Sequence, residues 1–581
     1  MTGYNRGMTF GELGKYLEKL EGVSSRLEMT RMLAKLFSEV SPNEGRLVAY
    51  LVQGRLGPAY ANPNFGVADK MMVRALGEGA GELFRKLGDL GLAAEKLSGE
   101  ASAARANHKL NSNVQIQNVY LKLTEIAEVG GKGSQEKKQE LIGDLLQQMD
   151  PVSAKYAVKI ILGKLRVGFS DMTVLDSLSW MVAGDKSLRS TVEAIYNVRA
   201  DLGEVVELIK KHKTGPEIKK LQVTPRTGTP VLMARAERAT AAGEIWKRNK
   251  SCAVEYKLDG IRIQAHCVKG KVVLFSRGLE NVTEMYPDVV KGLTKQIRKE
   301  CIIEGEMIAE DGEGNFLPFQ QTAQRKRKYR VEEMSKKIPL VFYLFDVLAV
   351  EGKDVMREGN EKRRVILEGL VKTGGGRQTV RLIWRKTAKS AEEIDKYFEE
   401  AIARGTEGIV AKKLDGIYQA GSRDFNWIKY KKSYDASTLA DTTDVLVMGY
   451  DSGQGKRAGF GMGAFLGGVY DKKTGKYYTV GKIGSGPSDE EWESLEKELR
   501  KYIVDRKPEE YSVKKQAECD YWVRPKFVVE VKADELSAST AMHSSGFGFR
   551  FPRFVKLRDK QPEDVTSLSE IERLYKMQKR K

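Results

Sequence analysis

Cysteine and histidine are scarce, at four of each in 581 residues. Cys252, Cys267, Cys301 and Cys519 are scattered without Cys-x-x-Cys spacing, so a structural zinc site is not expected and free thiols are the simplest reading. Long apolar runs are also missing. No stretch approaches the roughly 18 residues that span a bilayer. The opening Met1-Thr-Gly-Tyr-Asn-Arg-Gly7 lacks the charged-then-apolar layout of a secretion signal, so a cytoplasmic location without a membrane role is expected. No Gly-x-x-x-x-Gly-Lys-Ser/Thr loop occurs, which argues against a P-loop motor or kinase. No fixed repeat period runs through the chain.

Positive charge is abundant. Lys and Arg number 98 against 79 Asp and Glu, a formal +19. Such an excess favours polyanions, nucleic acid before an anionic membrane surface, although a generally solvated basic surface also accounts for it. With 41% hydrophobic and 30% charged residues the chain suits folded domains, and its length predicts two to four of them.

The first 220 or so residues read as helical. Ser25-Arg-Leu-Glu28 reads as a capping box, and Leu33, Leu36, Phe37 and Val40 then recur at helical spacing. Stretches 171–182 and 191–211 have the same character. Gly215-Pro216 and Thr224-Pro-Arg-Thr-Gly-Thr-Pro230 break the pattern and place a domain boundary. From Cys252 the texture becomes short strands, with Ile261, Ile263 and Ala265 alternating with Arg262, Gln264 and His266. A second change follows Lys429-Tyr-Lys-Lys432, after which strand-like pieces at 444–450, 464–470 and 526–532 predict a small barrel. A charged helix is expected at 569–581.

Glu255-Tyr-Lys-Leu-Asp-Gly-Ile-Arg262 places a lysine at a strand end, then an Asp-Gly turn, then an arginine on the returning strand. Asp-Gly is a common hairpin turn, so the fragment alone has an ordinary explanation. Its chemistry is more specific. A lysine amine attacks phosphorus only when neutral, and its reference pKa is about 10.4. Desolvation or nearby cations depress that value, and Lys429 and Lys431, with a bound metal, are candidates for those cations.

Six elements in order resemble the nucleotidyltransferase superfamily of DNA ligases, RNA ligases and capping enzymes. They are Lys257-Leu-Asp-Gly-Ile-Arg262, Ser276-Arg277-Gly-Leu-Glu280, Ile302-Ile-Glu-Gly-Glu306, Tyr343-Leu-Phe345-Asp346, Glu407-Gly-Ile-Val-Ala-Lys412 and Arg423-Asp-Phe-Asn-Trp427-Ile-Lys429-Tyr-Lys431. The resemblance implies that Lys257 is the nucleophile that takes up AMP from ATP. It further implies that Glu255 and Phe345 recognise adenine, that Arg262 and Glu306 hold the ribose, that Arg277, Arg423 and Lys429 meet the phosphates, and that Lys431 also binds the nucleotide. Glu306 and Glu407 would bind Mg²⁺, which prefers oxygen ligands. Taken singly, each acidic residue would be read as a surface salt bridge.

The flanks choose the branch. Ser24-Ser-Arg-Leu-Glu-Met-Thr30, Gly54-Arg-Leu-Gly-Pro58 and Gly163-Lys-Leu-Arg-Val-Gly168 resemble the helical DNA-binding domain of archaeal and eukaryotic replicative ATP-dependent DNA ligases. Lys456-Arg457-Ala-Gly459 and Phe549-Arg-Phe-Pro-Arg-Phe-Val-Lys-Leu-Arg558-Asp-Lys560 resemble their OB-fold domain. The implied fold is multidomain: an all-α DNA-binding domain (1–224), an α+β adenylation domain (225–432) of nucleotidyltransferase, ATP-grasp-like type, and a β-barrel OB-fold domain (433–581). Arg558 and Lys560 would orient pyrophosphate. Arg558-Asp-Lys560 is one residue shorter than the common Arg-Glu-Asp-Lys, which leaves the division of labour between them open. Glu304-Gly-Glu306 stands where relatives often carry Asp-Gly-Glu, a change read as harmless. Implied partners are ATP, Mg²⁺ and nicked duplex DNA, with the protein a nucleoid-associated monomer. No clear sliding-clamp peptide is present.

Other features have plainer readings. Gly453-Gln-Gly455-Lys-Arg-Ala458 spells a dinucleotide fingerprint, but more glycines and a strand follow instead of a helix. The basic run Gln324-Arg-Lys-Arg-Lys-Tyr-Arg330 is a solvated face or a phosphate contact. His266 and His543 lack partners for acid–base work and are read as structural or exposed. Competing functions are an RNA-modifying nucleotidyltransferase, disfavoured by the N-terminal third, and an inert DNA-binding scaffold, disfavoured by the complete nucleotide set.

Overall fold

A computed structural model describes residues 7–578 except 24, 105–113, 166, 213, 269, 328, 373–377, 432–441, 454–456 and 458–460. Ser24, Arg166, Lys328, Lys432, Gly455, Lys456, Ala458 and Gly459, and the last three residues of the expected closing helix, lie outside the described residues. The chain forms two compact units, Met1–Arg238 with Ala242–Lys429, and Ala239–Ala241 with Tyr430–Lys581.

The first unit begins with helices, among them α1 (Phe10–Glu21), α2 (Arg26–Glu39) and α3 (Pro42–Leu51). Leu33, Leu36, Phe37 and Val40 are fully buried, as their spacing predicts. Ser25 caps α2 through the Glu28 N–H at 3.4 Å, only half of the expected box. The reciprocal box forms instead at Thr9–Glu12 and Ser41–Glu44. Stretch 171–182 is α4 (Asp171–Ala183), but 191–211 is two helices, α5 (Arg189–Val198) and α6 (Leu202–Lys211). The break is built in: Asp201 caps α6 and accepts the Tyr50 hydroxyl at 2.6 Å, while the Ala200 N–H donates to the Pro230 carbonyl at 3.1 Å. The helical part thus packs against the segment after it. The Leu232 N–H meets the Asn197 carbonyl at 2.7 Å, and Tyr60 stands edge-on to Phe275 with centroids 5.7 Å apart.

Two sheets follow in the same unit. Their strands are β1 (Arg235–Ala239), β2 (Cys252–Lys257), β3 (Ile261–Val268), β4 (Lys271–Ser276), β5 (Cys301–Ala309), β6 (Leu340–Val350), β7 (Lys353–Asp354), β8 (Val380–Leu382), β9 (Arg385–Ala388), β10 (Gly408–Lys413) and β11 (Arg423–Lys431). One sheet runs β1-β11-β10-β2-β9; the other runs β4-β3-β5-β6-β7, with β8 beside β6. The expected return of the chain after Asp259-Gly260 is therefore wrong. β2 and β3 lie in different sheets, and the turn carries the chain from one to the other. Glycine is required there, since a Cβ at 260 would sit 2.2 Å from the Met307 carbonyl oxygen on β5.

Both faces of β3 are covered. Gln264 binds the Val231 N–H (2.8 Å) and carbonyl (3.0 Å). His266 is buried, with Nδ1 accepting the Gly228 N–H at 2.9 Å, and burial lowers its pKa to about 3, so the ring is neutral and structural. In the basic run, Arg325 is fully buried, clamping Asp288 at 2.7 and 3.0 Å, and is not a phosphate contact.

The second unit is rich in strands. β12 (Thr443–Ser452), β13 (Met462–Asp471), β14 (Lys476–Ile483), β15 (Ile503–Val504), β16 (Tyr511–Ser512), β17 (Tyr521–Val523) and β18 (Val528–Lys532) are followed by a hairpin of β19 (Glu535–Ala538) and β20 (Phe547–Arg550), and then by β21 (Arg553–Arg558). The order β15-β17-β12-β13-β14-β16, with β18 joining β12 to β21, encloses a core of Val445, Val447, Phe465, Val480 and Trp492. A helix, Leu568–Gln578, closes it.

Candidate active site

Alternation along β2 turns Glu255 and Lys257 to one face and Tyr256 to the other, where Tyr256 stacks on Trp384 with centroids 4.2 Å apart. Lys257 lies opposite Gly408 on β10. Its carbonyl accepts the Glu407 N–H at 3.0 Å, which brings the Glu407 carboxylate into an ion pair with the Lys257 ammonium. Both side chains keep partial access to solvent, at 23% and 17% exposure, so the amine can be reached.

Glu255 is buried, and one carboxylate oxygen, Oε2, takes Lys412 Nζ at 2.7 Å. Lys412 also donates to the Phe345 carbonyl at 2.8 Å and lies 4.9 Å from the Phe345 ring centroid. Behind it, Asp346 is clasped by Arg363 at 2.7 and 3.1 Å. Burial raises the Asp346 pKa, but Arg363 and Lys412 more than offset this and hold it below the usual value. Glu255 Oε1 is buried and has no hydrogen-bond partner among the described residues. A buried acceptor left unpaired in this way suits a ligand that offers an N–H donor.

Arg262 pairs across strands with Glu306, yet its guanidinium donates to Glu304 (2.7 Å) and to the Ala234 carbonyl (2.7 Å). It lies 5.3 and 5.4 Å from the Phe345 and Trp427 rings. Glu304 is fully buried and also accepts Gln264 (3.0 Å) and the Tyr418 hydroxyl (3.0 Å). Glu304 thus orients Arg262, a role that the reading of Glu304-Gly-Glu306 as a harmless variant does not convey. Tyr418 joins the same network, although no local motif marks it.

Cations gather at the other end. Arg277 follows β4 and Arg423 opens β11, and both are exposed. Desolvation, then Arg262 and Arg235, lower the Arg277 pKa. Arg235 belongs to none of the sequence motifs. Lys429 and Lys431 follow Trp427 at two-residue spacing along β11. The arginines Arg277, Arg262, Arg235 and Arg423 lie close enough to act on one another, and positive charge concentrated in this way suits a polyphosphate.

Glu306 is half-buried, and withdrawal from water raises its pKa to about 7; Lys257 and Arg262 oppose the rise, while Glu407 and Asp259 add to it. No group of three possible ligands is positioned for a metal among the described residues. Two carboxylates are nonetheless a suitable donor set for Mg²⁺, which keeps waters and takes phosphate oxygens. In the second unit, Arg558 on β21 lies 3.5 Å from both Asp444 and Glu530, and Lys560 lies 2.7 Å from Asp444.

The structure thus brings together a partly exposed lysine paired with Glu407, a buried glutamate with one unpaired oxygen, and arginines close enough to depress the pKa of Arg277. Family comparison agrees along the whole chain. Residues 9–179 match the DNA ligase N terminus, 233–431 the ATP dependent DNA ligase domain, and 458–561 the ATP dependent DNA ligase C terminal region. A probable DNA ligase of Dictyoglomus turgidum is 39% identical over 591 residues, covering 99% of this chain and 98% of the relative. The DNA ligase of Sulfurisphaera tokodaii is 38% identical over 600 residues, with 99% and 98% covered. A solved structure titled Pmar-Lig_PreS3 shares the fold, with TM-score 0.52 and 16% identity, covering 94% of this chain and 99% of that one. The chain belongs to the ATP-dependent DNA ligase family, whose cofactors are ATP and Mg²⁺.

Proposed function

We propose that this ligase seals nicks in duplex DNA, in replication, repair and recombination, with Lys257 as the nucleophile. The carrying observation is the placement of Lys257. It is the reachable amine on the face it shares with Glu255, and it is held by Glu407. In this arrangement the ion pair with Glu407 occupies the amine. Attack requires release of Glu407 and passage of the ammonium proton to solvent. The neutral nitrogen then bonds to the α-phosphorus of ATP as the bond to the β-phosphate oxygen breaks, and pyrophosphate leaves. Arg277, Arg423, Lys429 and Lys431 stabilise the charge that moves onto the leaving group. Glu255 and Phe345 hold the base, and Arg262, set by Glu304, holds the ribose together with Glu306. Mg²⁺ on Glu306 and Glu407 would neutralise phosphate charge. AMP then passes from Lys257 to the 5′-phosphate of the nick, and the 3′-hydroxyl displaces it.

We assign DNA gripping to residues 1–224, adenylation to 225–432 and the OB-fold to 433–581. Contacts to phosphates and the minor groove, rather than base edges, suit an enzyme that acts on any nick. We take the protein to act as a monomer; a sliding-clamp partner has no motif to support it. Among the described residues no helix is long and apolar enough to cross a membrane. Sealing of nicked duplex DNA, abolished by EDTA and restored by Mg²⁺, is the expected result. Preference for nicked RNA, or full activity without metal, would overturn the reading.

A second expectation concerns Arg558 and Lys560. Pyrophosphate needs orientation only in the first step. Replacing both with Ala should therefore slow lysine adenylation about 100-fold, the size of a lost transition-state contact, and spare sealing of a pre-adenylated nick. Equal losses in the two assays would refute this division.

A further inference from the structure

We infer that Arg385 is a base-reading residue, donating a hydrogen bond to N1 of the adenine whose amine Glu255 accepts. The inference rests on the proposed adenine contacts of Glu255 and Phe345. Arg385 opens β9 and lies directly opposite Glu255 in the antiparallel pairing, so both side chains project from the face that carries Lys257. Its side chain is only 10% exposed and that of Glu255 only 3%. Arg385 Nη1 and Glu255 Oε1 are 3.8 Å apart. Both are buried, and neither has a hydrogen-bond partner among the described residues.

An arginine and a glutamate side by side would ordinarily close on one another, because an unmade hydrogen bond to a buried charged group is costly. Here Glu255 is already served by Lys412, and Asp346 by Arg363. Arg385 is left within ion-pair range of Glu255 but with its Nη1 making no hydrogen bond. A buried acceptor next to a buried donor, each unused, is the complement of a ligand edge that offers a donor next to an acceptor. Adenine N6–H and N1 form such an edge. Guanine presents O6 and N1–H in the same places, with both polarities reversed. Tyr256 stacked on Trp384 behind the strands fixes the sheet from which both readers project.

The test measures kcat/KM for self-adenylation of the full chain with ATP, 1-deaza-ATP and 7-deaza-ATP. Wild type should use 1-deaza-ATP about 10- to 100-fold less well than ATP, the effect of one hydrogen bond from a charged donor, and use 7-deaza-ATP normally. Arg385→Met should lower ATP to the 1-deaza-ATP level and leave 1-deaza-ATP unchanged, while Arg385→Lys restores part of the preference. Thermal melting of each variant separates this from misfolding, which would depress both nucleotides equally. An undiminished ATP preference in Arg385→Met overturns the inference, and sensitivity to 7-deaza-ATP in place of 1-deaza-ATP overturns the assignment to N1. Glu255→Gln, assayed with purine riboside triphosphate, which lacks the amine, tests the adenine site independently of Arg385. If that variant loses its preference for ATP while Arg385→Met keeps its own, the adenine site stands and Arg385 alone is wrong. If neither variant changes base preference, the adenine site itself is misplaced.

Discussion

Lys257→Ala is expected to lose transfer of AMP from ATP to protein by about 10⁴-fold or more, as when a covalent nucleophile is deleted. Sealing of a nick that already carries 5′-AMP should persist at a reduced rate, because that substrate bypasses the lysine. The reduction has a structural cause. Lys257 neutralises Glu407 and sits among Glu306 and Asp259, so its loss leaves acidic groups facing a polyanionic substrate. Both reactions are followed on gels with labelled ATP and labelled pre-adenylated DNA. Robust self-adenylation by the variant would remove Lys257 from its role, and loss of both reactions alongside an unfolded protein would be separated by melting.

The second large effect is on stability. Lys412 is buried and bonds Glu255, with Asp346 at 3.8 Å. Lys412→Met leaves Glu255 without its hydrogen-bonded cation, and removing one partner of a buried pair costs about 3–5 kcal/mol. The double variant Lys412→Met/Glu255→Met should recover most of that stability, because replacing both charges with apolar groups is often close to neutral. It should not recover nucleotide use, since no acceptor then faces the adenine amine. Denaturant melts and self-adenylation rates for the two single variants and the double variant complete the cycle. If the double variant is no more stable than Lys412→Met, the pair is not the unit described.

Some of this is legible in the sequence because chemistry restricts residue type. The lysine, the arginines and the acidic groups recur in a fixed order, and their motifs are local. What is not legible depends on pairing between distant segments. Asp259-Gly260 reads as a hairpin turn, and nothing in the adjoining residues says that the two strands enter different sheets. Only the approach of the Met307 carbonyl explains the glycine. Glu304, Arg262 and Tyr418 form one network across segments far apart in the chain, so substitution tolerance at 304 cannot be judged locally. Arg325 is hidden in a basic run because its acceptor, Asp288, lies on a preceding helix. The 191–211 stretch keeps helical periodicity through a break that Asp201 and Pro230 impose through partners elsewhere in the chain.

The central claim is that AMP is carried on one side chain, and it can be read directly. The full-length protein is charged with ATP and Mg²⁺, stripped of nucleotide, digested under conditions that preserve phosphoramidates, and its peptides are sequenced by mass spectrometry. The account predicts an adenylyl mass on the peptide that contains Glu255-Tyr-Lys257, localised to Lys257 and discharged by nicked DNA. An adenylyl group on Lys412, Lys429 or any other residue, or charged protein that nicked DNA does not discharge, would contradict it.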